Sequence, residues 1–202
     1  MSETALSGRQ KTGKFKIRTF IAIKLPEHVI KTLAELQKDL NKYDCRMKWT
    51  RPENIHLTLK FLGDISPDEV DPVCRVVDSS VSGFAPIKLR AVSVGFFPGI
   101  RRAKVLWSGI SGQTDRLEKL HHAIDNGLHP FGFTRGKRRF TGHLTLGRFK
   151  GQADSELLID MMKANADTIS DEFIADAVFV YKSDLKPSGP IYSVLSGSRL
   201  VS

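Results

Sequence analysis

Cysteine is scarce in this chain: Cys45 and Cys74 are the only two among 202 residues. Their spacing suits neither a disulfide framework nor a zinc knuckle, so reduced thiols are the expectation. No run of about 20 apolar residues is available to cross a bilayer. The segment Met1 to Lys16 carries Arg9, Lys11, Lys14 and Lys16 but no apolar stretch, unlike a secretory signal. A flexible basic arm, a cytoplasmic location and no membrane association are therefore expected. Glycine-rich phosphate loops of the Walker or Rossmann pattern are missing too, which argues against those nucleotide folds. Acid is outnumbered, with 22 Asp and Glu against 31 Lys and Arg, leaving a formal charge of +9. Such a surplus favours anionic partners, nucleic acid ahead of anionic membrane.

Against these absences stands one repetition. His56-Leu57-Thr58-Leu59 recurs as His143-Leu144-Thr145-Leu146. Each copy lies in a short segment of strand character, and a strand sends alternate side chains to opposite faces. Within each copy His and Thr share one face while the leucines anchor the other. Two such strands side by side would offer two imidazoles and two hydroxyls to one cleft. That set suffices for phosphodiester chemistry without a metal. The competing readings are histidines that merely cap turns or fill strand positions, and a metal pair. The latter needs a third ligand, which neither motif supplies at short spacing. His28, His121, His122 and His129 fall in or beside helical segments and read as surface or packing residues.

Element order follows from periodicity and turn chemistry. Strands are expected over Ile17 to Leu25, Arg46 to Trp49, Ile55 to Leu62 (ended by Gly63-Asp64), Ile87 to Phe97, Lys104 to Ile110, Gly142 to Phe149, Phe173 to Tyr181 and Ile191 to Leu200. Helices are expected over Glu27 to Tyr43, from Pro67 towards Val81, Thr114 to Leu128 and Ser155 to Ala166. Ser66 and Glu69 form a capping-box pattern at the second helix. Strand, helix, strands, helix, strands is thus laid down about twice, and paired strand runs argue for antiparallel pairing, hence an α+β fold.

The surroundings of the two motifs carry a resemblance. Arg18-Thr19-Phe20-Ile21-Ala22-Ile23, Trp49-Thr50-Arg51-Pro52-Glu53-Asn54-Ile55, Lys60-Phe61-Leu62-Gly63-Asp64, Val105-Leu106-Trp107 and Gly147-Arg148 all fit one pattern. The chain resembles the 2H phosphoesterase superfamily. Within it the likeness is to the bacterial and archaeal RNA 2′,3′-cyclic phosphodiesterases, historically called 2′-5′ RNA ligases (LigT-like). The likeness runs from about Arg18 to Leu200. It departs at Gly142, where the family usually has proline, and in the additional basic arm.

The resemblance implies a bilobal, duplicated α+β domain over residues 17–202, two antiparallel sheets lining a central cleft with helices outside. It implies hydrolysis of RNA-terminal or nucleoside 2′,3′-cyclic phosphates to 2′-phosphates. His56 and His143 would then serve as acid and base, in an order the sequence leaves open. Thr58 and Thr145 would donate to phosphate oxygens, Arg148 would reach the phosphate, and Phe20 would stack a nucleobase or pack in the core. Arg101, Arg102, Lys104, Lys137, Arg138 and Arg139 are expected along an RNA backbone, or simply as solvated loop charge. No cofactor, no metal and no obligate protein partner are expected of what reads as a monomer binding RNA ends or cyclic nucleotides. The alternatives are 2′-5′ ligase or phosphodiesterase activity, hydrolysis of a small cyclic nucleotide, and an RNA-binding module that turns nothing over.

Overall fold

Apolar residues recurring every three or four positions give each helix a single buried stripe. In α1 (Glu27–Asn41) it is Val29, Leu33, Leu36 and Leu40; in α2 (Pro67–Val81), Val73, Val77 and Val81. In α3 (Thr114–Leu128) it is Leu117, Leu120, Ile124 and Leu128; in α4 (Ser155–Ala164), Leu158 and Met161. The computed structural model describes residues 15–136 and 138–201. Nearly all of the expected basic arm, and Lys137, lie outside the described residues. Glu69 closes the start of α2 as its pattern anticipates, accepting from the Ser66 backbone N–H at 2.7 Å.

The strands are β1 (Ile17–Lys24), β2 (Met47–Trp49), β3 (His56–Ile65), β4 (Ile87–Phe97), β5 (Val105–Gly112), β6 (His143–Phe149), β7 (Phe173–Ala175), β8 (Ala177–Lys186) and β9 (Gly189–Arg199). All pairings are antiparallel, in the order β7-β4-β5-β6-β3-β1-β8-β9, with β2 added beside β6. Among the described residues the two expected sheets are thus halves of one continuous nine-stranded sheet. Their junction, β3 against β6, consists of one register pair, Leu57 with Leu144.

Most strand ends shift by one or two residues from expectation, and two differences bear on the fold. Gly63 does not end β3, because it takes φ +76° and lets the strand twist on to Ile65. The single strand expected over Phe173 to Tyr181 is two, broken at Asp176: β7 pairs with β4 at one end of the sheet, while β8 lies between β1 and β9 near the other. Only one residue separates the two strands in the chain, so the sheet must curl until its ends nearly meet. Its helix-covered face holds the main core, with Leu57, Leu59, Leu144 and Leu146 all buried there. The opposite face carries a small aromatic cluster of Phe20, Ala22 and Tyr181 packed with Phe179 and Tyr192.

Each motif strand also bulges at its second leucine. Across β1 and β3, Ala22 pairs with Thr58 and Ile21 with Lys60, which leaves Leu59 as the extra residue. Across β5 and β6, Trp107 pairs with Thr145 and Leu106 with Gly147, which leaves Leu146 extra. An extra residue reverses which face the following side chains meet. Lys60 is therefore sent to the helix side, where its ammonium joins the Asp125 carboxylate of α3 and donates to Thr134 O at 2.8 Å. Asp125 also accepts from Gly136 N–H at 3.1 Å. Burial pushes its carboxyl up, but the bonds from Lys60 and Gly136 outweigh this and hold it below the ordinary carboxylate value.

The freed carbonyl of Leu146 is satisfied twice, by Thr50 N–H at 2.9 Å and by the buried Gln37 side chain of α1 at 2.8 Å. Gln37 donates its second N–H to Thr50 O, also at 2.8 Å. Replacing it by Leu strips both carbonyls of a donor in a buried setting. Gln37→Leu is expected to lower unfolding free energy by about 1–3 kcal/mol in urea titration.

Candidate active site

The bulges determine what reaches the concave face of the sheet. Continuing the Leu57–Leu144 register outward sets His56 beside Thr145 and Thr58 beside His143, related by an approximate two-fold axis through the leucine pair. Strict alternation would turn Phe61 and Arg148 away from their histidines, five residues earlier in each strand. The extra leucines bring both back, and Phe61 and Arg148 line the same cleft as His56, Thr58 and Thr145. They are equivalent positions of the two halves, one presenting an aromatic ring and the other a cation.

Both imidazoles are oriented alike. His56 Nδ1 lies 2.7 Å from Asn54 O, and His143 Nδ1 lies 2.8 Å from Thr141 O. A carbonyl only accepts, so each Nδ1 carries the proton and donates it. Neither Nε2 has a hydrogen-bond partner among the described residues, so each is able to take a proton when the ring is neutral or give one when charged. The backbone behind each histidine is itself anchored. Asn54 Nδ2 donates to Pro190 O at 3.0 Å and Arg51 donates to Ser188 O at 2.7 Å, which ties the lead-in of motif one to the β8–β9 turn. On the motif-two side the Lys60–Asp125 pair holds Thr134 and Gly136, upstream of Thr141.

Aromatic rings wall in both histidines. Phe20 stacks on His56 with centroids 4.7 Å apart and planes at 27°, and Tyr192 meets His56 edge-on at 5.3 Å. His143 packs edge-on against Phe97 at 4.9 Å and near Trp107 at 6.3 Å. Trp107 can lie there because Gly95 stands beneath its ring, where a Cβ would overlap the indole. Burial lowers the His56 pKa from the ordinary histidine value. The Asn54 carbonyl opposes that shift, and the charge of nearby His143 lowers the pKa further.

Of its two expected readings, nucleobase platform or core packing, Phe20 takes the packed one. Its second face is covered by Tyr181, centroids 5.2 Å apart and planes at 15°, and only 4% of the residue is exposed. The free ring in the cleft is Phe61, 69% exposed, with Leu185 also exposed on the lining. Arg102 is exposed in the β4–β5 turn, and Arg139 is exposed beside Glu118 of α3 at 3.4 Å; neither lines the cleft, nor do Arg101, Lys104 or Arg138. The cations that do line it are Arg18, Lys48, Arg51 and Arg148, with no carboxylate among the lining residues. Three of these, together with Phe61 and Tyr192, were not singled out from sequence. Arg18, Arg51 and Phe61 stand inside the stretches that carried the family resemblance, which was the available signal.

The cleft encloses about 640 Å³, room for a nucleotide. A second hollow, between α2 and α3 around Pro72, Val76 and Phe131, has neither histidine nor carboxylate on its walls. Among the described residues no group of three His, Cys, Asp or Glu converges as a metal site, and no helix is long and apolar enough to cross a membrane.

Two His-x-Thr strands meet across a curled antiparallel sheet, with His56, Thr58 and Thr145 on the wall of a cation-lined cleft and His143, itself not a lining residue, beside Thr58. The pattern is that of a two-histidine phosphoesterase. The chain belongs to the LigT-like phosphoesterase family, whose model matches residues 23–107 and 109–192, one segment around each motif. It is 35% identical to an RNA 2′,3′-cyclic phosphodiesterase of Thermotoga maritima, over 89% of this chain and 93% of that one. It is 30% identical to the protein of that name from Methanothermobacter thermautotrophicus, over 92% and 100%. In fold it is similar to the crystal structure of TT0787 from Thermus thermophilus, with TM-score 0.74, 25% identity and coverage of 91% and 97%.

In the free protein the His56 ring is expected to titrate below the ordinary histidine value of about 6.5 in a two-dimensional NMR titration. Phe20→Leu, which removes the stacked ring and admits water, should move that titration upward. An unchanged midpoint would mean that Phe20 does not exclude solvent from the imidazole.

Proposed function

We propose that this enzyme opens 2′,3′-cyclic phosphates at RNA ends, and on nucleosides, to 2′-phosphates. The observation that carries the reading is the pair of Nδ1-anchored histidines related across Leu57–Leu144, each beside the other motif's threonine. The names of the relatives in Thermotoga maritima and Methanothermobacter thermautotrophicus support it.

Water must attack phosphorus in line with the departing ribose oxygen, so a base and an acid are needed on opposite sides. His143 Nε2 takes the proton of the attacking water. His56, charged, gives its Nε2 proton to the leaving O3′. Thr58 and Thr145 donate hydrogen bonds to the non-bridging oxygens, where charge grows in the transition state. Arg148 supplies positive charge to the same anion. Burial makes the charged His56 ring the stronger acid, and the bound phosphate anion supplies the negative charge that helps it keep its proton until the bond breaks. Metal ions take no part in this scheme.

Purified protein incubated with a 2′,3′-cyclic nucleotide, and with an oligonucleotide ending in a cyclic phosphate, should release 2′-phosphate with or without EDTA. His56→Ala or His143→Ala should each lower turnover by about 10²–10⁴-fold, and Thr58→Ala or Thr145→Ala by less. Near-normal hydrolysis by the double histidine variant rejects the scheme, as does loss of activity in EDTA. Tight binding without product identifies a binding module instead.

kcat/KM follows the free enzyme and should be bell-shaped with pH, because one imidazole must be charged while the other is neutral. One limb should lie below the ordinary histidine value, where burial has placed His56. A profile with no limb in that range argues against proton transfer by His56.

A further inference from the structure

The cyclic phosphate needs the two histidines, two threonines and one cation. The cleft holds more positive charge than that, and the excess is placed in an unusual way. Lys48 of β2 and Arg148 of β6 are direct register partners, so their side chains leave the sheet on one face with Cβ atoms about 5 Å apart. Like charges directly opposite are unfavourable on a sheet unless something of opposite sign lies between or above them. Both are exposed and line the cleft. Among the described residues neither forms an ion pair with a carboxylate.

Arg51 joins them on the cleft wall. Its guanidinium is fixed by one bond to Ser188 O at 2.7 Å, which leaves further N–H donors for a ligand. The Lys48–Arg148 pair stands two ladder steps from Thr145, because Leu146 is the extra residue, or about 7 Å along the sheet. That is beyond the reacting phosphorus and within the span of one nucleotide. No carboxylate among the cleft-lining residues neutralises it, whereas Lys182 on β8 is matched by Asp184 at 3.1 Å. A surface kept merely soluble has no reason to leave this cluster unmatched.

We propose that Lys48 and Arg51, which the reacting phosphate does not use, form a second phosphate subsite, which takes the phosphate on the 5′ oxygen of the nucleotide whose 2′,3′ end is being opened. The preferred ligand is then a nucleotide with phosphate at both ends of its ribose. The 5′ phosphate is either a free monoester or the last internucleotide linkage of an RNA chain. This rests on the phosphoesterase reading for the occupant of the histidine site.

Calorimetric titration tests it without requiring turnover. The ligands are adenosine 2′-phosphate, adenosine 2′,5′-bisphosphate and a dinucleotide with a terminal 2′-phosphate. Wild-type protein should bind at least one of the last two about tenfold or more tightly than the monophosphate. That advantage should shrink with added salt. Preference for the bisphosphate alone assigns the subsite to a free 5′ end, and preference for both assigns it to an RNA chain. Lys48→Ala and Arg51→Ala should collapse the ratio to within about twofold, while Lys48→Arg restores it. Unaltered thermal melts establish that the variants fold. Equal binding of all three ligands by wild type overturns the subsite, as does an advantage that survives both alanine variants. Failure to hydrolyse cyclic phosphates would sink the proposed reaction, and the binding ratio would still decide the subsite.

Discussion

Leu57 meets Leu144, and most of the site follows from that contact. Among the described residues it is the sole register pair joining the two halves of the sheet, and it is buried on the helix side. Because the strands are antiparallel and the motifs identical, pairing at their second residues forces each histidine beside the opposite threonine. Beyond the pair the strands part, β3 following β1 and β6 following β5 and β2. The parting opens a cleft walled by His56, Thr58 and Thr145, with His143 beside Thr58. A longer β3–β6 ladder would have filled that space with backbone hydrogen bonds.

The bulges at Leu59 and Leu146 serve the same arrangement. Each keeps a leucine in the core while reversing the face of the next residues. One strand can thereby offer His, Thr and then Phe61 or Arg148 to the cleft, and still send Lys60 to Asp125. The buried carbonyl that such a bulge leaves must be paired. Gln37 and Thr50 meet that need at Leu146, which explains a buried glutamine on an otherwise apolar helix face. Rigidity around the histidines comes from rings on one side and backbone carbonyls on the other. An imidazole fixed in tautomer and direction works as a proton carrier without first being reordered.

Helix extents were legible because one-sided burial writes a 3.6-residue period into the chain: Thr114 to Leu128 is expected and observed, and α1 ends two residues short of its expected end. The stretch from Phe173 to Tyr181 reads as one strand because both of its parts are apolar. Nothing local in Ala175-Asp176-Ala177 says that its flanks pair with strands from opposite ends of the sheet. Phe20 was ambiguous for a similar reason. An aromatic residue on a cleft-side strand looks the same whether its faces are free or covered, and here His56 and Tyr181 cover both.

By itself the sequence determined which chemical groups are available and which of them share a strand face: two His-x-Thr pairs with leucines behind them, in a chain rich in cations and built of alternating strands and helices. Those are local properties, written in alternation, capping and composition. The tertiary structure alone decided that the motifs meet at Leu57 and Leu144, that Arg148 rather than Arg102 or Arg139 faces the cleft, and that Lys48 stands against Arg148. Register between distant strands, and the bulges that reverse a face, depend on partners far along the chain. No window of neighbouring residues contains them.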